Sequence, residues 1–212
     1  MKVIITGATG MVGEGVLMEC LENDAVEEIL MVNRRPYPLQ HPKLEELLVA
    51  DFMKLDAVLD VVKNYDACFY CAGISSVGVK EDKYTYITYD TTLSFAKQLL
   101  QVNSSMVFDF VTGSHTDANG KAMWARIKGK TEMDLMKLGF KGQYNFSPGF
   151  MKPFKGQRNV KPLFKPLITI FPLLFPKKSL TLKQVGQAMI NTVSKGYPKQ
   201  ILEISDIMEL AK

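Results

Sequence analysis

Cysteine and histidine are scarce in this chain of 212 residues, which carries three of the first and two of the second. So small and odd a set of cysteines excludes a disulfide scaffold. Cys68 and Cys71 have the spacing of a redox pair, but they fall in an apolar run that reads as a strand, where residues three apart point to opposite faces. They and Cys20 are expected to be small core residues. With only His41 and His115, and no paired His or Cys constellation, no metal site is expected. Long unbroken apolar runs are missing as well. The most apolar stretch, Pro162 to Pro176, holds four prolines and Lys165, which excludes a spanning helix of about twenty apolar residues. One lysine and a short strand open the chain, too little for a secretory leader, so a cytoplasmic protein is expected.

Acid is missing from the C-terminal third. Between Leu135 and Leu202 there is no Asp or Glu, while that stretch carries 12 of the 26 basic residues and leaves 14 to face all 22 acidic ones. Such a basic third accords with a small-molecule substrate bearing an anionic group and an apolar part, an acidic partner, or peripheral contact with an anionic membrane face. No binding motif accompanies the charge, so nucleic acid is not expected. Hydrophobic content of 47% and charged content of 23% exclude disorder and suit a single domain over 1–212. The stretch 150–195 then reads as a basic, proline-rich cover on the substrate side.

What the chain does have is a glycine-punctuated beginning. Val3, Ile4 and Ile5 form a β-branched run that reads as a strand buried on both faces. Gly7, Gly10 and Gly13 follow at three-residue spacing, and from Met11 the apolar positions Val12, Val16, Leu17 and Leu21 recur on one helical face. Glycines at such a turn let a pyrophosphate approach the free N–H groups and positive dipole of the helix start. This is a dinucleotide-binding pattern. Where NAD would call for a carboxylate at the end of the second strand, Ile29 to Val32, the chain offers Arg34 and Arg35. Their forked donors suit the 2′-phosphate of NADP(H).

The rest continues the alternation. Leu47 to Ala50 predicts a third strand before Asp51 and Phe52, and Leu55, Val58, Leu59 and Val62 mark a helix. Ala67 to Cys71 predicts a fourth strand ending in Ala72 and Gly73, small enough for a cofactor ribose to pass. Lys80 to Val102 is helical, Met106 to Val111 a fifth strand, Ala122 to Leu138 a helix, and Gln143 to Phe146 a sixth strand ending in Ser147 and Pro148. Thr181 to Val193 predicts a last helix and Ile201 to Ile204 a late strand. The rhythm argues for an α/β fold, a doubly wound parallel sheet of Rossmann type with helices on both faces and the cofactor across the strands' carboxyl ends.

Taken together, these residues resemble the extended and atypical branch of the short-chain dehydrogenase/reductase superfamily, the NAD-dependent epimerase/dehydratase-like proteins. Thr6 to Gly13, with Thr9, Met11 and Val12 between the glycines, looks like that branch's nucleotide turn. Asp51-Phe52 looks like its adenine contact, and Cys71-Ala72-Gly73 like the turn after its fourth strand. Arg34-Arg35, Asp51 to Leu55 and Lys128 to Glu132 look closest to the Tat-interactive oxidoreductase-like proteins and their bacterial relatives. The resemblance implies Lys128 as the ribose-binding lysine of a Tyr-x-x-x-Lys motif, Thr112 as the strand-end hydroxyl with Ser114 as a second candidate, and a cofactor contact from Ser147 and Pro148. Trp124 stands where the motif has its tyrosine. An indole N–H does not titrate usefully, so it cannot be the usual acid. Tyr84, Tyr86, His115 or a water remain as donors. Two functions stay open: an NADP(H)-dependent oxidoreductase or epimerase-like enzyme with a rearranged proton donor, and a non-catalytic NADP(H)-binding redox-responsive scaffold or regulator.

Overall fold

Alternation along the first strand divides the molecule in two. In β1 (Lys2–Thr6), Val3 and Ile5 enter one apolar core and Ile4 the other, so both faces of the strand require cover. The computed structural model describes residues 1–160, 175 and 179–212. Its further strands are β2 (Glu28–Asn33), β3 (Leu44–Leu48), β4 (Ala67–Tyr70), β5 (Val107–Val111), β6 (Gly142–Phe146), β7 (Phe150–Lys152), β8 (Ser179–Thr181) and β9 (Ile201–Leu202). Seven of them form one sheet in the order β3-β2-β1-β4-β5-β6-β9, every neighbouring pair parallel.

Helices close both faces. On one lie α1 (Met11–Glu22), α6 (Leu182–Lys195) and α7 (Ile204–Leu210), which bring Val16, Leu17, Val185, Met189 and Ile207 onto Val3, Ile5, Met31, Phe69 and Phe146. On the other lie α2 (Leu59–Val62), α4 (Thr91–Val102) and α5 (Met123–Leu135), whose Val62, Phe95, Leu99 and Leu135 meet Ile4, Leu30, Tyr70 and Phe108. Each such side chain gains about 1.5–3 kcal/mol on burial. Exposed pairs such as Lys63 with Asp60 at 2.8 Å contribute under about 1 kcal/mol each. The two cores therefore hold the fold. This is the doubly wound Rossmann architecture that the rhythm of strands and helices predicts.

Three departures have local causes. The third strand is Leu44–Leu48, earlier than the apolar run Leu47 to Ala50 suggests, because an edge strand needs only half of its side chains inside and accommodates Glu45 and Glu46. Glu46 is anchored there, its Oε1 accepting from Asn33 Nδ2 at 3.1 Å and from Tyr37 N at 2.9 Å. The late strand stops at Leu202; Ile204 opens α7, which Glu203 and Asp206 start with a reciprocal capping box. The helix expected from Lys80 to Val102 is α3 (Glu81–Thr85), a π-helical turn at Tyr86–Asp90 and then α4. β7 and β8 pair with each other in parallel, a contact between segments too short and too far apart to be read from pattern. The proline-rich stretch expected at 162–176, within the cover at 150–195, lies outside the described residues except for Phe175.

Candidate active site

The chain runs outward from β1 to β3, then returns to β4 on the other side of β1. Two parallel strands therefore part at their carboxyl ends, and the turns that follow them face one another across a crevice. Ala72 N donates to Thr6 Oγ1 at 3.1 Å and ties the two strand ends together. Gly7 sits beside this tie with φ +73°, and a Cβ there would lie 2.6 Å from the carbonyl carbon and oxygen of Cys71. Only glycine fits. Gly13, one helical turn into α1, packs against the Gly7 carbonyl so closely that a Cβ would overlap it. The N-cap of α1 is Gly10, which has no side chain to cap the helix, and no described side chain offers an acceptor to its first turn. Gly10, Met11 and Val12 instead line a cavity, an arrangement that suits an anion.

A groove runs from this turn in both directions. Outward, Gly7, Thr9, Gly10, Arg34, Arg35 and Phe52 line one cavity, and Arg34, Asp51, Phe52, Tyr86 and Thr91 a second of about 340 Å³. Arg34 and Arg35 are exposed at its rim. Inward, Met11, Val12, Ile74, Phe110, Thr112, Lys128 and Met151 line a cavity of about 230 Å³. Ala72 and Gly73 line all three. The π-helical turn serves the groove from across it, giving Tyr86 and Ile87 to the second cavity and Thr88 to the inner one.

The inner end is built from β5 and α5. Thr112 follows β5, its N–H donating to Phe146 O at 2.9 Å, and is buried. Trp124 and Lys128, one turn apart on α5, both reach Gly113: from its Cβ position Trp124 Cζ3 is 3.8 Å away and Lys128 Nζ 4.0 Å. Thr112 Oγ1 donates a short hydrogen bond to Oε1 of Glu132, one turn beyond Lys128 and 4% exposed. The Thr116 hydroxyl also favours the ionised form of that carboxyl. Burial holds the Lys128 ammonium down to about 8, opposed by the charge of Glu132. Burial raises the Glu132 carboxyl, opposed by the hydroxyls of Thr112 and Thr116 and by Lys128. Desolvation likewise pushes the thiol of Cys71, which is partly buried and lines the groove, above its ordinary value.

Of the residues singled out from the sequence, Gly7, Thr9, Gly10, Met11, Val12, Arg34, Arg35, Asp51, Phe52, Cys71, Ala72, Gly73, Thr112 and Lys128 line this groove. Gly13 supports the turn from behind. Trp124 is half-buried against Gly113 and lines none of the three cavities. Ser147 and Pro148 are buried and line none of them either, Ser147 N donating to Leu202 O at 2.9 Å. Among the alternative donors, Tyr84 is buried in the protein, Tyr86 lies on the outer groove, and His115 is exposed with φ 65°. Among the described residues lining the inner cavity there is no tyrosine or histidine. Sequence reasoning passed over Glu132 as a site residue, although its i, i+4 spacing from Lys128 was there to be read. Cys20, Cys68 and Cys71 are free, and no metal-holding cluster occurs among the described residues.

Residues 3–120 match the model of a family described as the NAD dependent epimerase/dehydratase family, a match that ends before α5. Among curated proteins, the chain is 24% identical over 152 residues to "Protein HTATIP2" of Rattus norvegicus, covering 71% of this chain and 62% of that one. It is 26% identical over 164 residues to "Protein fmp52, mitochondrial" of Emericella nidulans, covering 74% and 68%. The chain thus spans under two thirds of the HTATIP2 relative. Solved structures share its fold. The Bordetella bronchiseptica enzyme WbmF in complex with NAD+ superposes with a TM-score of 0.68 at 14% identity, over 99% of this chain and 76% of that one. A short chain dehydrogenase from Burkholderia cenocepacia in complex with NADP gives 0.69 at 13% identity, over 98% and 91%.

Proposed function

This chain belongs to the NAD dependent epimerase/dehydratase family, and from that premise we propose that it is an NADP(H)-dependent oxidoreductase or epimerase-like enzyme in which Trp124 stands in the tyrosine position. The observation that carries this reading is the continuous groove from Arg34 and Arg35, past the glycine turn, to Thr112 and Lys128. Its residues fit a dinucleotide: Gly7 and Gly13 let the turn close tightly on Cys71 and on the start of α1, and at Gly10, where a Cβ would meet only the Gly7 carbonyl oxygen at 3.4 Å, backbone is presented to the cavities on either side. Gly7, Gly10 and the first turn of α1 would hold the pyrophosphate. Arg34 and Arg35 would take the 2′-phosphate, Asp51 and Phe52 the adenine, and Cys71 to Gly73 with Lys128 the nicotinamide riboside. When bound, the dinucleotide supplies the hydride chemistry.

The substrate would enter the inner cavity. Met11, Ile74, Phe110 and Met151 give it apolar walls, and Lys128 gives it one cation. A small molecule with an apolar part and an anionic or strongly polar group suits that lining. No described helix is long and apolar enough to cross a membrane. The cytoplasmic placement expected from the sequence is set against one relative whose name is mitochondrial.

A second reading, a cofactor-binding protein without turnover, is favoured by one observation: no tyrosine lines the inner cavity among the described residues. Calorimetry with NADPH and NADH, followed by turnover assays on alcohol and carbonyl panels, separates the two. The enzyme reading expects tight NADPH binding and measurable turnover. Binding with no turnover supports the scaffold, and no binding of either dinucleotide removes both.

A further inference from the structure

Loss of the phenol leaves the inner cavity without an obvious group to take or give a proton during hydride transfer. Lys128 is a cation there, and an ammonium at an alcohol stabilises negative charge on oxygen but does not accept a proton until it has lost its own. Thr112 is the other polar side chain at the β5 side of the cavity. Its single hydroxyl proton is committed to Glu132, so toward the cavity Thr112 has only lone pairs to offer.

This pairing has a chemical consequence. A carbonyl oxygen set against lone pairs is repelled, whereas a hydroxyl group can donate to Thr112 and accept from Lys128 at once. Resting on the oxidoreductase reading above, we infer that Glu132 is a positioning residue that acts through Thr112 as the site's proton relay, in place of the missing tyrosine, and that the group the site receives is a secondary alcohol. A bound oxidised dinucleotide would supply the acceptor for the carbinol hydride, and the chain's own part would be to take the substrate O–H proton at Thr112 Oγ1. The Thr112 proton moves to Glu132 Oε1, the C–O single bond becomes a carbonyl, and Glu132 later returns the proton to solvent. One alcohol and one oxidised dinucleotide give one carbonyl, one reduced dinucleotide and one proton. Reversal runs the same relay from a protonated Glu132.

The surroundings of Glu132 suit the task. It is buried, holds the Thr112 hydroxyl from the loop after β5, and feels the Thr116 hydroxyl of that loop, Lys128 on its own helix and the charge of Glu203 at the start of α7. Burial and Glu203 push its carboxyl upward, against both hydroxyls and Lys128, which makes its carboxylate a stronger base than an exposed glutamate.

Glu132→Gln and Thr112→Val test the relay, with near-ultraviolet circular dichroism to show that both fold. Infrared difference spectra across pH should contain, beside the carboxyl of Asp109, a second buried carboxyl band in the wild-type protein that titrates above the usual carboxylate range. That second band should vanish in Glu132→Gln while the Asp109 band stays, and its titration should move higher in Thr112→Val, which loses a hydrogen bond to the ionised form. In turnover of secondary alcohols with NADP+, the wild-type rate should rise with pH through that titration. Glu132→Gln should bind NADP+ with unchanged affinity, lose about 100-fold or more in kcat and lose that limb of the pH profile. Adding Trp124→Tyr to Glu132→Gln should restore turnover through a phenol beside Lys128. A Glu132→Gln protein with wild-type turnover overturns the relay. So does a carboxyl that titrates in the usual range and ignores Thr112→Val, or a wild-type protein that binds NADP+ and oxidises nothing while Trp124→Tyr does. Failure of wild type to bind either dinucleotide is a different result, which removes the oxidoreductase reading and the relay with it.

Discussion

Trp124 and Lys128 converge on one point of the backbone, the Cβ position of Gly113, from which Trp124 Cζ3 is 3.8 Å and Lys128 Nζ 4.0 Å away. The lysine goes on to line the inner cavity and the indole does not. On the reading proposed above, Trp124 holds the place of a tyrosine that would otherwise deliver the proton.

Trp124→Tyr is therefore expected to create or raise NADPH-dependent reduction of small carbonyl compounds, since a positioned general acid is worth roughly 10²- to 10⁴-fold. Steady-state assays on a carbonyl panel check this. Normal NADPH binding with no gain in rate would show that the site lacks more than a phenol.

Arg34 and Arg35 give the second prediction. Both stand at the rim of the outer groove where a ribose 2′ substituent would lie. Calorimetry should give tighter binding of NADPH than of NADH, with the difference lost in Arg34→Ala, Arg35→Ala. Equal affinities in wild type would contradict it.

The first strands were legible in the sequence because their interiors are wholly apolar: Val3 to Ile5 and Ile29 to Val32 announce themselves as short runs buried on both faces. The edge strand was misplaced for the opposite reason, since Leu44–Leu48 has one open side and contains Glu45 and Glu46. Much of the groove was legible too, because a glycine beside a strand end and an arginine after the next strand have few other uses at those spacings. Glu132 was not. A charged residue in a helix reads as solvated until the fold buries it, and its hydrogen-bond partner here, Thr112 in the loop after β5 and twenty residues earlier, is brought in by topology alone. β7 and β8 escaped in the same way, being three residues each.

Asp109, in the middle of β5 and fully buried, gives a prediction about stability. Its Oδ2 accepts from Thr192 Oγ1 at 2.9 Å, while Oδ1 has no hydrogen-bond partner among the described residues, and burial raises its pKa well above the usual carboxylate range. The folded chain thus keeps a proton that the unfolded chain releases. Stability contributed by this group is intact at pH below the unfolded carboxylate's titration and falls as pH rises beyond it. Asp109→Asn should raise the melting temperature at pH 7 to 8 and flatten its decline with pH, because the amide has no proton to lose and no charge to bury. A variant less stable than wild type at pH 8 would contradict this.

Close packing of α1 on α6 gives another. A Cβ on Gly186 would lie 2.6 Å from Glu19 Cβ. Gly186→Ala should cost about 1–3 kcal/mol in urea unfolding, whereas Lys63→Ala, which removes an exposed ion pair, should cost under about 1 kcal/mol. The reverse order would mean that the helices can separate without loss.

Trp124 is the chain's single tryptophan, so its fluorescence reports on the inner end of the groove alone. Titrating NADPH while exciting that indole tests most directly whether a dinucleotide lies along the groove with its nicotinamide at Thr112 and Lys128. The account predicts saturable quenching of Trp124 with matching sensitised emission from the bound dihydronicotinamide. NADPH that binds by calorimetry but leaves Trp124 emission unchanged, or does not bind at all, would contradict it.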